Sequence, residues 1–291
     1  MKHMYQQLQH CTRISNRLLC FSLFLVTILY SLDSTATLLV TPSRVVFEDR
    51  TRTAQVTLVN KGTETTTYRI SFIRQNMTED GKFVPVAKGE EGLYADELVR
   101  FSPRQVVLQP GQSQIVRLML RKPRGLADGE YRSHMLMQAL PKTTKSDISR
   151  AVQKSGNEIS VEITTIVGIS IPVIVRNGKL NAEVTLSKAA LVKSADAKQK
   201  PFLELDIVRS GTESVYGDFR VTYKDEKGKS EIVGNVNGVA VYFPNKLRHF
   251  QIPLDFSDGS ADYSSGQFHI SYIESGKDEA TGLIAETDLK L

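Results

Sequence analysis

Residues Thr41–Asn60 read TPSRVVFEDRTRTAQVTLVN. Val45 and Phe47 alternate with Val46 and Glu48, and a polar turn follows over Glu48–Arg52. Ala54, Val56, Leu58 and Asn60 then alternate with Gln55, Thr57 and Val59. A period of two is that of a half-buried strand, because successive side chains leave opposite faces of the pleat. The stretch therefore predicts strand, turn, strand. Arg44 is a lone cation in the first of these strands. Most strand arginines are solvated, so a binding role for Arg44 has to be argued from its surroundings.

The same rhythm extends in both directions. Leu38–Thr41, Arg44–Glu48, Ala54–Asn60, Thr66–Gln75, Phe83–Val86, Val99–Ser102, Gln105–Leu108, Ser113–Arg121, Gly129–Ala139 and Glu158–Val175 all read as strands. Turns fall between them at Asn60-Lys61-Gly62, Glu79-Asp80-Gly81, Gln109-Pro110-Gly111 and Arg124-Gly125, where Gly, Pro, Asn and Asp supply the backbone angles a reversal needs. After Arg176-Asn177-Gly178 a second set begins: Leu180–Ser187, Phe202–Arg209, Val215–Tyr223, Ser230–Asn237, Gly238–Phe243, His249–Leu254, Gly266–Glu274 and Leu283–Lys290. Many short strands with regular turns predict an all-β chain of two immunoglobulin-like β-sandwich domains, residues 37–176 and 177–291. The connection Lys142–Asn157 is the one long stretch without strand character in the first domain.

Residues 1–36 have the form of a cleavable signal peptide. Lys2, Arg13 and Arg17 precede the apolar run Leu18–Leu32, and Ser34-Thr35-Ala36 supplies small residues for cleavage. The run is shorter than the about 20 residues a membrane span needs, so no stable membrane insertion is expected after cleavage. Cys11 and Cys20 both fall within this segment, which leaves the mature chain without thiol or disulfide chemistry. The net charge of +5 comes from interspersed residues of both signs, which is not a nucleic-acid signature.

No catalytic constellation stands out. His134, His249 and His269 are isolated and lack metal-ligand spacing. Nucleophile-elbow, phosphate-loop and zinc-protease motifs are missing, and acidic pairs such as Glu90-Glu91 lie in loops. The expectation is a protein that is no enzyme and uses no cofactor or metal.

Glu158–Arg176 (EISVEITTIVGISIPVIVR) is long for a strand, where about 5–6 residues is usual. Ile159, Val161, Ile163 and Val167 share one face, and Pro172 lacks the N–H for a ladder bond, which favours an edge or bulge. A long apolar edge has to be covered or used, and its use would be pairing with a strand of another chain. An ordinary core strand fits the pattern equally well.

TPSRVVF, VTLVNKG, LQPGQSQIVRLML (Leu108–Leu120), YRSHMLMQALP (Tyr131–Pro141) and the long strand ending at Arg176 follow one another in the order of a known family. Over Leu38–Arg176 the chain resembles the PapD-like periplasmic pilus chaperones of the chaperone–usher pathway. The resemblance implies two sandwiches around a cleft and a last strand of the first domain that donates apolar side chains to an incomplete pilin-like subunit. It implies a basic pair gripping the subunit's C-terminal carboxylate, and an outer-membrane usher as further partner. Arg44 matches the first cation of that pair, Ile159, Val161, Ile163 and Val167 match the donor positions, and Arg176 matches a domain-orienting ion-pair residue. The family's second cation, a lysine, falls at Pro172, so a replacement such as Lys179 would be needed.

The reading that follows is a periplasmic chaperone of pilus or fimbrial subunits. The alternative is an immunoglobulin-like structural or interaction module of the envelope without subunit traffic.

Overall fold

The computed structural model describes residues 38–48, 50–87, 89–141, 167–193, 200–255 and 264–291. The expected signal segment, the Lys142–Asn157 connection and the donor positions Ile159, Val161 and Ile163 lie outside the described residues. In chain order the first half contains β1 (Leu38–Thr41), β2 (Val45–Phe47), β3 (Thr53–Asn60), β4 (Thr66–Ile73), β5 (Gln75–Met77), β6 (Phe83–Pro85), β7 (Val99–Ser102), β8 (Gln105–Leu108), β9 (Ser113–Leu120), β10 (Gly129–Ala139) and β11 (Gly168–Asn177). The second half contains β12 (Ala182–Val192), β13 (Phe202–Gly211), β14 (Val215–Lys224), β15 (Ser230–Val241), β16 (Leu247–Pro253), β17 (Gln267–Glu274), the short helix α1 (Glu279–Gly282) and β18 (Leu283–Lys290).

The first sandwich sets a four-stranded sheet, β1-β3-β9-β7, against a five-stranded one, β2-β11-β10-β4-β8. The alternating residues of each strand meet between them: Val56 and Leu58 of β3, Val116 and Leu118 of β9, Tyr68 of β4, and Met135 and Met137 of β10 belong to one buried cluster. Burying such side chains stabilises by roughly 1.5–3 kcal/mol each relative to exposure. The second sandwich sets β12-β13-β16 against β15-β14-β17-β18 around Leu203, Leu205, Phe219, Phe268 and Tyr272. The architecture is all-β, two immunoglobulin-like sandwiches, as the periodicity indicated.

The turn in VTLVNKG has a structural cause. Asn60 is fully buried, donates its amide N–H groups to the carbonyls of Glu64 (2.8 Å) and Leu108 (2.9 Å), and accepts from the Gly62 N–H at 2.9 Å. Its backbone carbonyl accepts from Gly111 at 2.8 Å, which ties this turn to the Gln109-Pro110-Gly111 turn.

Four local readings need correction. Arg44 precedes β2 and is not part of it. The chain changes sheets between β1, antiparallel to β3, and β2, parallel to β11. Pro42 lacks the N–H to continue the first ladder, so the chain leaves it there. The strand read as Thr66–Gln75 ends at Ile73, and Gln75–Met77 pairs with Phe83–Pro85 in a separate hairpin. Leu180–Ser187 begins at Ala182 and runs on to Val192 through a bulge at Lys188, φ 53°. Ser230–Asn237 and Gly238–Phe243 form one strand: Gly238 adopts φ 76°, donates its N–H to Asp218 Oδ1 at 2.8 Å, and carries β15 through a bulge.

The β5–β6 hairpin bridges the two sandwiches. Asn245 Nδ2 donates to the Met77 carbonyl at 2.6 Å, and the His249 N–H donates to the Glu79 carbonyl at 2.8 Å. Met77 also joins Ile174, Ala240 and Tyr242 in a small buried cluster separate from both cores. Val46 and Tyr216 pack against it, and this apolar patch forms the floor beside the site.

Candidate functional site

Between the sandwiches lies an open cleft of about 750 Å³, lined among others by Arg44, Val46, Glu48, Arg176, Glu213 and Tyr216. Strand alternation explains how the first sandwich supplies its wall. Val45 and Phe47 point into the core, so Arg44, Val46 and Glu48 point out of it. On β11, in register with β2, Ile174 lies opposite Val46. On β10, Arg132 lies opposite Ile174 and His134 opposite Pro172.

The two arginines named from the sequence have opposite electrostatic settings. Arg176 ends β11 amid three carboxylates: Glu48 at 2.9 Å, Glu213 at 2.8 Å and Glu130 at 3.3 Å. It also donates through Nη2 to the Ser214 carbonyl at 3.3 Å. Glu48 and Glu130 come from the first sandwich, Glu213 and Ser214 from the second. Glu130, with only 1% of its side chain exposed, also accepts the Ser214 N–H at 3.0 Å and the Ser214 hydroxyl. Partial burial pushes the Glu213 carboxyl up, Arg176 opposes this, and Glu130, Glu48 and Glu274 add to it.

The turn that presents Glu213 and Ser214 is itself braced. Arg209, fully buried, donates to the carbonyls of Asn245 (2.8 Å), Gly211 (3.0 Å) and Glu213 (2.8 Å). Five donors in a planar fork suit a guanidinium to holding several carbonyls at once.

Arg44 has no such counter-charge. Among the described residues it forms no ion pair. Its guanidinium stacks 4.2 Å over the Tyr216 ring, and its buried Nε has no hydrogen-bond partner. A cation on an aromatic face gains about 0.5–2 kcal/mol, and its N–H donors stay available for an anion. Pro172 stands level with Arg44, because Val45 pairs with Val173. Lys179 is exposed beyond the end of β11 and does not line the cleft.

A second cation was overlooked in the sequence. Arg132 on β10 is 8% exposed, stacks 4.3 Å over Tyr242, and leaves Nη1 without a partner. Burial lowers its pKa. Beside it, His134 is buried with both ring nitrogens unpartnered, and its ring meets Phe83 edge-on at 4.8 Å. Desolvation, with a contribution from Arg132, lowers the His134 pKa to about 4. The signal was legible in YRSHM: Arg132 and His134 alternate with the core residues Tyr131 and Met135, and therefore face outward from a central strand.

The donor-strand position Val167 directly precedes β11 and is 59% exposed. From there β11 has a neighbour on each side over only part of its length. β10 pairs with all of Gly168–Asn177, but β2 pairs with Val173–Val175 alone. Among the described residues Gly168–Pro172 therefore has one open edge. The Ala139 N–H donates to the Val167 carbonyl at 3.0 Å, so odd-numbered residues of β11 turn their backbone groups to β10 and even-numbered ones to the other side. Gly168 and Ser170 thus present backbone groups along the open edge. The missing N–H of Pro172 also falls on that side and costs the β10 ladder nothing.

No protein-family model and no curated protein matches the chain. Among solved structures it is similar to the YadV chaperone, with 13% identity over 88% of this chain and 100% of that one and a TM-score of 0.41. It is also similar to a Salmonella enterica structure of SafA pilin in complex with the SafB chaperone (11% identity, 89% and 99% covered, TM-score 0.41). A third is the class 5 fimbriae chaperone CfaA (14% identity, 87% and 98% covered, TM-score 0.38). Among the described residues no helix is long and apolar enough to cross a membrane.

Proposed function

We propose that this chain is a non-enzymatic periplasmic chaperone that binds and caps pilus or fimbrial subunits by strand complementation. The observation that carries this reading is that β2 begins only at Val45, which among the described residues leaves the edge of β11 open from Pro172 back to Gly168. A partner strand continuing the line of β2 along that edge, parallel to β11, would run from Gly168 toward Pro172. Its C-terminal carboxylate would then arrive at Arg44, the cleft cation without a counter-ion among the described residues. Main-chain hydrogen bonds supply affinity in this mode, and side chains on alternate positions supply specificity. Ile159, Val161, Ile163 and Val167 are the proposed donors, and Arg176 is the residue that orients the two sandwiches.

The test is co-expression with pilin-like proteins encoded beside the gene, followed by affinity purification from the periplasm. Arg44→Ala removes the carboxylate partner. Ser170→Pro removes an edge N–H without touching the β10 ladder. Both should lose most of the bound subunit while melting like the wild type. Capture at the wild-type level by both variants would sink the reading, and the envelope interaction module would replace it.

A further inference from the structure

The four-stranded sheet β1-β3-β9-β7 turns one face to solvent, and a row of alternating apolar and basic side chains runs along it. Its strands, LLVT, TAQVTLVN, VRFS and SQIVRLML, contain no Asp or Glu. On the outward positions of β9, Ile115 is 42% exposed, Arg117 is exposed and Met119 is 48% exposed. Arg121, just past the strand, continues the series, its N–H donating to the Leu98 carbonyl at 2.7 Å. Apolar, cation, apolar and cation thus follow one another at every second residue. Arg100 of β7 sits opposite Met119 in register, so a third guanidinium borders the same row. Arg100, Arg117, Met119 and Arg121 line one groove of about 570 Å³. Among the described residues none of these three arginines forms an ion pair.

We propose that this face docks an extended segment of a second protein in which carboxylates and apolar side chains alternate on one face. Side chains two residues apart on a strand are separated by roughly 7 Å, so the row on β9 matches such a segment residue for residue. Each guanidinium offers a planar donor fork to a carboxylate, and Ile115 and Met119 bury against its apolar positions. The alternation is what favours a peptide over a phosphate backbone. Nucleic acid would leave Ile115 and Met119 unmatched. The one aromatic lining the groove among the described residues, Phe101, packs against the core and meets Phe72 edge-on rather than offering a free ring to stack a base. The inference does not depend on the cleft or on strand capture at β11.

The probe is a fluorescent synthetic peptide with the repeat Val-Ser-Glu-Ser, read by anisotropy against the full chain after removal of residues 1–36. Binding should weaken at high salt and fall about tenfold or more, equivalent to about 1.4 kcal/mol or more, in Arg117→Glu/Arg121→Glu. Arg117→Gln/Arg121→Gln should give an intermediate loss, with unchanged circular dichroism and melting in both. Replacing Glu by Gln in the peptide should abolish binding, while Arg44→Ala should not alter it. Equal binding of the Glu and Gln peptides, or equal binding by wild type and the charge-reversed variant, overturns the proposal. So does tighter binding of a single-stranded oligonucleotide or of phosphatidylglycerol vesicles through the same arginines.

Discussion

Ser214 of the second sandwich donates its backbone N–H at 3.0 Å to the buried carboxylate of Glu130 in the first. Arg176 and the Ser214 hydroxyl occupy the rest of that carboxylate, a satisfied polar node that joins the sandwiches beside the hairpin contacts and the apolar patch of Met77, Ile174, Ala240 and Tyr242. Glu130→Ala should leave the Ser214 N–H buried without an acceptor, at about 1–3 kcal/mol. Glu130→Gln retains an acceptor and should cost less. Urea unfolding measures the loss, and small-angle scattering should show a looser junction in Glu130→Ala.

The stacking of Arg44 on Tyr216 predicts a graded response. Tyr216→Phe keeps the ring and should leave stability and subunit capture unchanged. Tyr216→Leu removes the π face and should cost about 1 kcal/mol or somewhat more. Equal behaviour of the two variants would mean that the stack does not hold the guanidinium.

His134 sets a slope on the acid side. Its folded pKa is about 4, below the ordinary value of 6.5, because burial opposes the charged ring. Between these two values the unfolded chain takes up a proton that the folded chain refuses. Stability therefore falls as pH drops from 6.5 toward 4, by up to about 3 kcal/mol in total. His134→Phe should flatten that slope in pH-dependent urea unfolding.

His249 acts in the opposite sense. Its Nδ1 lies 2.6 Å from Asp206 Oδ1, and this hydrogen bond raises its pKa above 6.5, with Asp206, Glu79 and Asp80 adding attraction and desolvation opposing. Lys188 shares Asp206 at 2.9 Å. The charged form is favoured in the folded state, so its stabilising contribution is fully present below pH 6.5 and is lost as pH rises through the elevated value. NMR titration should place the His249 midpoint above that of an unfolded peptide and His134 well below it, and His249→Gln should remove the alkaline-side loss.

The strands of both sandwiches were legible because their cause is local. Val56 and Leu58 alternate with the polar Gln55 and Thr57 whatever lies across the core. Gly238 misled for a related reason: a glycine between two apolar runs reads as a turn, whereas a positive φ serves a bulge equally well. The turn at Glu79-Asp80-Gly81 and the strand after it were legible, but Gln75–Met77 was not read as a strand of its own because it is short and polar. The bonds that tie its hairpin to Asn245 and His249 come from far along the chain.

Sequence alone determined an all-β chain of two sandwiches, and it singled out Arg44 and Arg176 by their place in ordered motifs. The strands follow from alternation and turn chemistry, which act between near neighbours, whereas the two arginines were marked by resemblance to a known family. Only the tertiary structure decided that Arg176 is neutralised by three carboxylates while Arg44 has no ion pair among the described residues. It also revealed that Arg132 is buried beside Tyr242, and that among the described residues β11 is flanked on both sides only over Val173–Val175. These properties belong to groups brought together from distant parts of the chain, Glu130 and Ser214 being 84 residues apart. A local pattern records which face of a strand is apolar, but which charges meet across a junction depends on how the sheets come together.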